Sequence, residues 1–513
     1  MASSPSVDPT GDPAFDLPVD PSGSLLSIAG VAGLTDMDPA TFRAAAHRVA
    51  DVMADYLESV ESYAVLPPVK PGSIRPLFPT APPEKPTALD DVLTDFNELV
   101  LPNATHWQHP GFLAYFATTA SGPGILGEMF TATLCQNPML WRTSPIGTEL
   151  EEVVVDWLRQ ALGLPATFDG LLTDTASTST LIALAAAREA AGLDVASAGL
   201  AGRPELAGGV QVYASAEAHS SIEKACMTLG LGRASLRRIP VNERYEMEAE
   251  ALAAAIVEDR AAGRIPLAIV ATIGTTSSTS VDPVGAVARI AAEEKLWLHV
   301  DAAYAGTVAL LPERRAPFQG WELADSIVVN PHKWLFTPLD ASLLLSRRMN
   351  QLRAAFSLQP EYLRTLDQAG PGRDFNEYQP QLGRRFRALK LWILLRMFGL
   401  EALRARINQH LALAAEFSSW IDADADWERL APTRFSTVCF RFHPRDRAAG
   451  LDELNAELMA AVNRTGEVFL SHTRLVGRFT IRLAIGNLRT EERHIARAWA
   501  LVRREAANLA SES

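Results

Sequence analysis

The sequence predicts an α/β protein with a mixed, mostly parallel seven-stranded sheet, a helical segment before it and a smaller α+β domain after it. Three observations predict this. Seven short strand candidates recur: Leu171–Thr173, Gln211–Ala214, Arg237–Ile239, Ala268–Thr272, Leu296–Val300, Ser326–Val329 and Ser342–Leu345. Ala-rich helical stretches such as Leu181–Ala190 and Ala249–Glu258 lie between them, and several runs are apolar on both faces, as a covered sheet requires. With 513 residues, 48% of them hydrophobic and 21% charged, the chain can bury a sizeable core and fill two or three domains.

Taken in order, residues 1–35 are rich in Pro, Ser, Gly and Asp and read as a flexible tail. Residues 36–121 read as an N-terminal helical segment. Asp38-Pro39-Ala40-Thr41 opens a helix whose apolar residues Phe42, Val49, Val52, Met53, Tyr56 and Leu57 recur at helical spacing. The proline-rich stretch Leu66–Pro86 reads as extended, and a long helix is expected from Ala88 to Leu101, ended by Pro102. Residues 122–389 form the expected large domain. The polar stretch 359–381, with Gly370, Pro371 and Gly372, reads as a mobile loop, followed by a helix from Arg384 to Phe398. Residues 390–513 mix helices with strand-like runs, Thr437–Phe442 and Phe479–Ala484, as the smaller domain.

Composition narrows the function. Lys plus Arg number 47 against 60 Asp plus Glu, a net charge of −13 with no basic block, which disfavours nucleic-acid and anionic-membrane binding. Cys135, Cys226 and Cys439 form no C-x-x-C pair and point to a reducing compartment, with no metal site. No basic leader precedes the apolar run Leu25–Leu34, which is too short to span a bilayer, so a cytoplasmic location is expected. Neither G-x-G-x-x-G after a strand nor a P-loop occurs, which removes the main support for a dinucleotide or NTP site.

Four strand ends carry chemistry-bearing residues. The apolar strand Ser326–Val329 runs into Asn330-Pro331-His332-Lys333-Trp334, placing Lys333 where open α/β sheets face their ligand crevice. A lysine desolvated there by Trp334 and Pro331 loses basicity and becomes a nucleophilic amine; a lone lysine is more often a surface residue. Leu296–Val300 ends in Asp301-Ala302-Ala303-Tyr304, an acid followed by small residues that would admit a planar cofactor, though Asp301 could equally cap the next helix. Leu171–Thr173 leads through Asp174 to Thr175, Ala176 and Ser177 at a helix N-terminus, a phosphate-favouring place that also suits ordinary capping. His219 follows a strand and precedes a helix, where an imidazole could stack on a ring and exchange protons. Four such elements at four ends of one sheet are hard to attribute to chance.

The motifs Asn330-Pro331-His332-Lys333-Trp334-Leu335 and His299-Val300-Asp301-Ala302-Ala303-Tyr304-Ala305-Gly306 resemble signatures of the aromatic-L-amino-acid decarboxylase family, among the group II pyridoxal 5′-phosphate (PLP) dependent decarboxylases of fold type I. The similarity continues in His109-Pro110-Gly-Phe-Leu-Ala-Tyr115-Phe116, in Ser144-Pro145-Ile-Gly-Thr148-Glu149-Leu150-Glu151 and in Leu382-Gly383-Arg384-Arg385-Phe386-Arg387. It runs from about Asp36 to the C-terminal helix. The resemblance implies that Lys333 holds the cofactor covalently, Asp301 pairs with its pyridinium nitrogen, His219 stacks on the ring and Ala303 lies beneath it. It implies that Thr175, Ala176, Ser177, Asn330 and His332 hold the phosphate, with Thr276 near the ring substituents. Tyr362 matches the tyrosine that protonates the substrate carbon, and Trp107, Tyr115, Phe116 and Thr118 match the substrate pocket. Met139 and Leu382-Gly383 would close that pocket from a neighbouring subunit, which implies a homodimer with shared active sites.

Where the family commonly has Gly, Pro and an aromatic residue, this chain has Asp174, Ala117 and Met139. Asp174 is awkward beside a phosphate, so its carboxylate is expected to point away. The implied activity is decarboxylation of an aromatic L-amino acid (tryptophan, tyrosine, phenylalanine or dihydroxyphenylalanine) to an arylalkylamine and CO2. The alternatives are an aromatic aldehyde synthase, which the family pattern pairs with phenylalanine in place of Tyr362, and a decarboxylase for a non-aromatic amino acid. An aminotransferase fits the long motifs less well. A catalytically silent protein of the same fold would be expected to lose Lys333, Asp301 or His219, and all three are present.

Overall fold

The computed structural model describes residues 36–206, 208–358, 372–447 and 449–511, and its contacts divide the chain into two units. The first comprises Met1–Glu58 and Pro82–Asn97. Its helix α1 (Pro39–Ser59) starts where the Asp38 carboxylate accepts the amides of Ala40 and Thr41, an N-cap made by an acid at the positive end of the helix. The continuous helix expected from Ala88 to Leu101 is instead broken into α2 (Leu89–Asp95), a wider turn over Phe96–Val100 and a tight turn over Leu101–Asn103. Pro102 has no N–H for the carbonyl four residues back, and its ring crowds that carbonyl, so the regular ladder cannot reach it.

The second unit, Ser59–Ala81 with Glu98–Ser513, contains the sheets. Helices α3 (Gly122–Leu134) and α4 (Pro145–Leu162) precede β1 (Asp169–Thr173). Then come α5 (Ala176–Ala190), α6 (Val195–Ala198), β2 (Val210–Ser215), α7 (Ser221–Thr228), β3 (Leu236–Ile239), α8 (Ala249–Ala261), β4 (Ile265–Thr272), α9 (Val284–Glu294) and β5 (Trp297–Asp301). The large domain continues through β6 (Ser326–Val329), α10 (Pro331–Trp334), β7 (Ser342–Ser346) and α11 (Met349–Phe356). The strand order is β1-β7-β6-β5-β4-β2-β3; β7 runs antiparallel to both of its neighbours and the remaining pairs are parallel.

Alternate residues of these strands feed two cores. On β4, Ile269 and Ala271 join the cluster that contains Val300, Ile327 and Leu343, while Ala268 and Val270 join the one with Val212, Trp297 and Leu344. Both faces of the central strands are therefore covered, which is why β4 and β6 read as largely apolar runs, whereas the edge strand β3, with Arg237 and Arg238, is only partly buried.

Helix α12 (Arg387–Ala423) begins three residues later than expected, because the Arg384 amide donates to Asn137 Oδ1 instead of entering a helix. The helix kinks at Gly399, whose φ of 65° suits glycine. Residue 390, the expected boundary between the large and small domains, lies inside it. Leu391, Leu394 and Ile407 pack in the large core, whereas Leu413, Phe417 and Ile421 pack in the small one. That small core is covered by a four-stranded antiparallel sheet in the order β10-β11-β9-β8, made of β8 (Trp427–Arg429), β9 (Thr437–Phe442), β10 (Ser471–Leu475) and β11 (Arg478–Ala484). Helices α13 (Leu451–Arg464) and α14 (Glu492–Ser511) complete it. No described helix is long and apolar enough to cross a membrane.

Candidate active site

The end of β6 sets the first group. Its four residues are buried, and Pro331 starts the single turn of α10 that carries His332 and Lys333. The Asn330 amide donates to the Ala303 carbonyl at 3.0 Å, joining this turn to the end of β5. His332 is buried, and its Nδ1 accepts the Ala341 amide at 3.0 Å. A neutral ring then carries its proton on Nε2, leaving a donor for an anion. Burial pushes the His332 pKa down to about 4, so the ring is neutral at pH 7. The Lys333 ammonium lies 5.4 Å from the centre of the Phe116 ring, and Trp334 beside it is fully buried. Desolvation lowers the Lys333 pKa, opposed by the charge of Asp301.

Asp301 closes β5, buried, with Oδ1 accepting the Ala303 amide at 3.1 Å. Its charge acts on Lys333 and on His219 together, raising both pKa values against desolvation. His219 is exposed as a residue, yet the groups around its ring desolvate it enough to lower its pKa. Its Nδ1 faces the Ser221 amide at 3.1 Å and the Ser221 hydroxyl at 2.9 Å, which again assigns the proton of the neutral ring to Nε2. Thr276 is exposed after β4.

At the end of β1, Thr175 caps α5 by accepting the Thr178 amide at 3.4 Å, with Ala176 half-buried and Ser177 exposed on the first turn. Asp174 turns back on its own turn: Oδ1 accepts the Thr175 amide at 2.6 Å and Oδ2 accepts from Gln381 Nε2 at 3.5 Å. The carboxylate is thus occupied, while the amides of Ala176 and Ser177 at the positive helix end remain suited to a phosphate.

The expected pocket residues fall into two ring groups, Trp107 and Tyr115 packed on Phe112 and Phe469, and Phe116 packed on Tyr304. Trp107 stacks on Phe112 at 4.2 Å and lies 6.5 Å from Tyr115, whose φ of 51° is unusual for a tyrosine. Thr118 is half-buried nearby in sequence. Half-buried Met139 sits in the loop after α3, its carbonyl accepting the Asn376 amide; Leu382 and Gly383 are exposed, and a Cβ on Gly383 would meet nothing within 4 Å. Tyr362 lies outside the described residues, as does most of the loop expected over 359–381. Its last part is described, with a tight turn over Phe375–Tyr378.

Two further features escaped the sequence reading. Phe116, Tyr304, Trp334 and His410 form a column of rings, with centroid separations of 3.8, 4.8 and 6.3 Å and planes within 13° of parallel. Trp334 Nε1 donates to His410 Nδ1 at 2.9 Å, and the Tyr304 hydroxyl meets Ser436 Oγ at 2.5 Å. The column carries the pocket wall at Phe116 down into the core. Arg482 on β11 is buried with its guanidinium 5.3 Å from the same Phe116 ring, donating to the Ser277 carbonyl and Ser471 Oγ. An arginine inside the otherwise uncharged run Phe479–Ala484 was the available signal.

Together, a desolvated lysine with a lowered pKa, a buried carboxylate at the next strand end and a neutral histidine donor make a site chemically suited to an α/β enzyme that uses a carbonyl cofactor. The donor set fits PLP: an amine for the aldehyde, an acid for a ring nitrogen, and His332 Nε2 with free helix amides for a phosphate. The buried Asn330 Oδ1, which has no partner among the described residues, is one more polar atom at this floor.

Comparison with known proteins agrees. Residues 71–443 match the pyridoxal-dependent decarboxylase conserved domain. The chain is 40% identical to phenylacetaldehyde synthase of Arabidopsis thaliana over 486 residues, 93% of this chain and 98% of that one. It is also 40% identical to tryptophan decarboxylase 2 of Oryza sativa subsp. japonica over 484 residues, 92% and 96% of the two chains. Among solved structures, Oryza sativa TDC with PLP and tryptamine superposes with a TM-score of 0.89 at 37% identity, covering 93% of this chain and 99% of that one. The chain belongs to the pyridoxal-dependent decarboxylase family, and its cofactor is pyridoxal 5′-phosphate.

Proposed function

We propose that the protein decarboxylates an aromatic L-amino acid, releasing CO2 and an arylalkylamine. The observation that carries this is the Phe116 ring 5.4 Å from the Lys333 ammonium, with the rings of Trp107 and Tyr115 paired at 6.5 Å on the same segment of chain. A flat side chain gains apolar burial and ring contacts there. Similarity to a tryptophan decarboxylase supports the same reading.

Bound PLP supplies the electron sink for the pair left on Cα when CO2 departs. The residues of the chain do the rest. Lys333, desolvated, would offer Nζ as the amine that holds the cofactor. Asp301 keeps a positive charge at the ring nitrogen. His219 would offer Nε2–H to the substrate, His332 Nε2, Asn330, Thr175, Ala176 and Ser177 would hold the phosphate, and Thr276 and Ala303 would contribute to the ring site. Tyr362 delivers the proton to Cα as general acid.

Two chains form a homodimer in the cytoplasm, each lending Met139 and Leu382-Gly383 to the other's pocket. Exposed Leu126, Phe130 and Leu134 on α3, with Ile146, Val153 and Trp157 on α4, support such an interface. Aldehyde synthesis is the competing reading, favoured by the equal 40% identity to phenylacetaldehyde synthase, and Tyr362 counts against it. The test is a product assay on PLP-loaded protein offered L-tryptophan, L-tyrosine, L-phenylalanine and L-dihydroxyphenylalanine. Amine without hydrogen peroxide is expected. Aldehyde with peroxide would favour the synthase, and no product from any of the four would overturn the aromatic assignment.

A further inference from the structure

The motifs around Glu151 and Arg384 carry no role in the site as described, yet these two side chains form an ion pair at 2.6 Å with both fully buried. Neither is satisfied by its partner alone. Glu151 Oε1 also accepts the Leu172 amide at 2.8 Å, and Arg384 Nη2 returns to the Leu172 carbonyl at 2.9 Å. Leu172 lies on β1, an edge strand whose single strand neighbour is β7, so the pair grips the outward amide and carbonyl that no described strand covers. The grip falls two residues before Asp174, where the phosphate turn begins.

Arg384 holds the pocket side as well. Its Nη1 donates to the Pro138 carbonyl and its own amide to Asn137 Oδ1, both at 2.9 Å, which fixes the loop that presents Met139. Leu382-Gly383 immediately precedes it, and its guanidinium packs 4.4 Å from the Phe375 ring. A buried ion pair costs desolvation that its mutual attraction scarcely offsets, so its use is better sought in placement than in stability.

We infer that Glu151–Arg384 is a positioning pair for the reaction, fixing the phosphate turn after β1 and the Met139/Leu382-Gly383 wall as one rigid unit. This rests on the proposed function for the role of the wall, which in the dimer would serve the partner's pocket.

The experiment uses the full-length protein with two variants, reading PLP affinity by absorbance titration, KM and kcat for amine release, and thermal melting. Glu151→Gln keeps shape and an acceptor for Leu172 but leaves the guanidinium without its counter-ion; PLP affinity should fall and KM rise, each about tenfold, with kcat within about threefold. Asn137→Ala removes a contact to the wall without burying an unpaired charge; KM should rise about threefold while PLP affinity and melting stay close to wild type. Lowered melting with PLP affinity and KM unchanged in Glu151→Gln would reduce the pair to a structural brace and overturn the inference. If that variant does not fold, unchanged KM in Asn137→Ala overturns it. Wild-type protein that binds PLP but turns over no amino acid would sink the proposed function, while the PLP titration of Glu151→Gln would still decide the phosphate-turn half.

Discussion

His410 anchors the ring column under the pocket, and its protonation state can be read as a stability difference. Burial pushes its pKa down to about 3. Geometry gives a second reason: Nδ1 accepts from Trp334 Nε1, so an imidazolium would turn a proton against that N–H. The folded pKa is depressed, so the native state lacks a proton that the unfolded chain takes up below about 6.5. The contribution is fully present above that pH and is lost as pH falls toward 3. Between pH 7.5 and 5.5 one such group removes about 1.4 kcal/mol of stability. His299 and His332, both pushed to about 4, act in the same direction, whereas Asp282, raised to about 7, opposes them. The clean test is therefore a difference. His410→Gln keeps an acceptor for Trp334 and does not titrate, so its loss of stability between the two pH values should be about 1.4 kcal/mol smaller than that of wild type. Urea unfolding followed by near-ultraviolet circular dichroism measures both. Equal pH dependence in the two proteins would refute the assignment of a neutral, buried His410.

Asp301→Asn removes the charge that opposes desolvation at Lys333 and His219, so both pKa values should drop further; turnover should fall at least about 100-fold, and an unchanged rate would remove Asp301 from the mechanism. Tyr304→Phe leaves Ser436 Oγ short of a partner in a fully buried place and should cost about 1–3 kcal/mol in urea unfolding, with KM nearly unchanged because the ring stack survives. Tyr362→Phe should divert product toward aldehyde and hydrogen peroxide, measured by mass spectrometry and a peroxide probe; an unchanged amine yield would exclude Tyr362 as the proton donor.

Much of this arrangement was legible because it is local. An apolar strand ending in a polar turn writes both its burial and its exposed end into consecutive residues, which is why Asp301, His332 and Lys333 could be read as sheet-end groups. What joins distant segments left weaker marks. Glu151 and Arg384 are 233 positions apart and pair only once β1 and α4 are in place. The stack from Phe116 to His410 draws one ring from each of four separated segments, and nothing in their spacing encodes it. Arg482 did leave a local sign, a charge within an otherwise uncharged run, but its place beside Phe116 depends on the small domain. The helix expected up to Leu101 failed for a local reason, Pro102 and the turns it imposes.

The most direct test of the account is where the cofactor is attached. Borohydride reduction of the PLP-loaded protein, followed by proteolysis and mass spectrometry, should place the phosphopyridoxyl mass on Lys333, and Lys333→Ala should carry none. Lys390 is the natural control, since desolvation lowers its pKa as well, but it is buried and paired with Glu128. Label on Lys390 or on any other lysine, with Lys333 unmodified, would contradict the assignment of this sheet end as the active site.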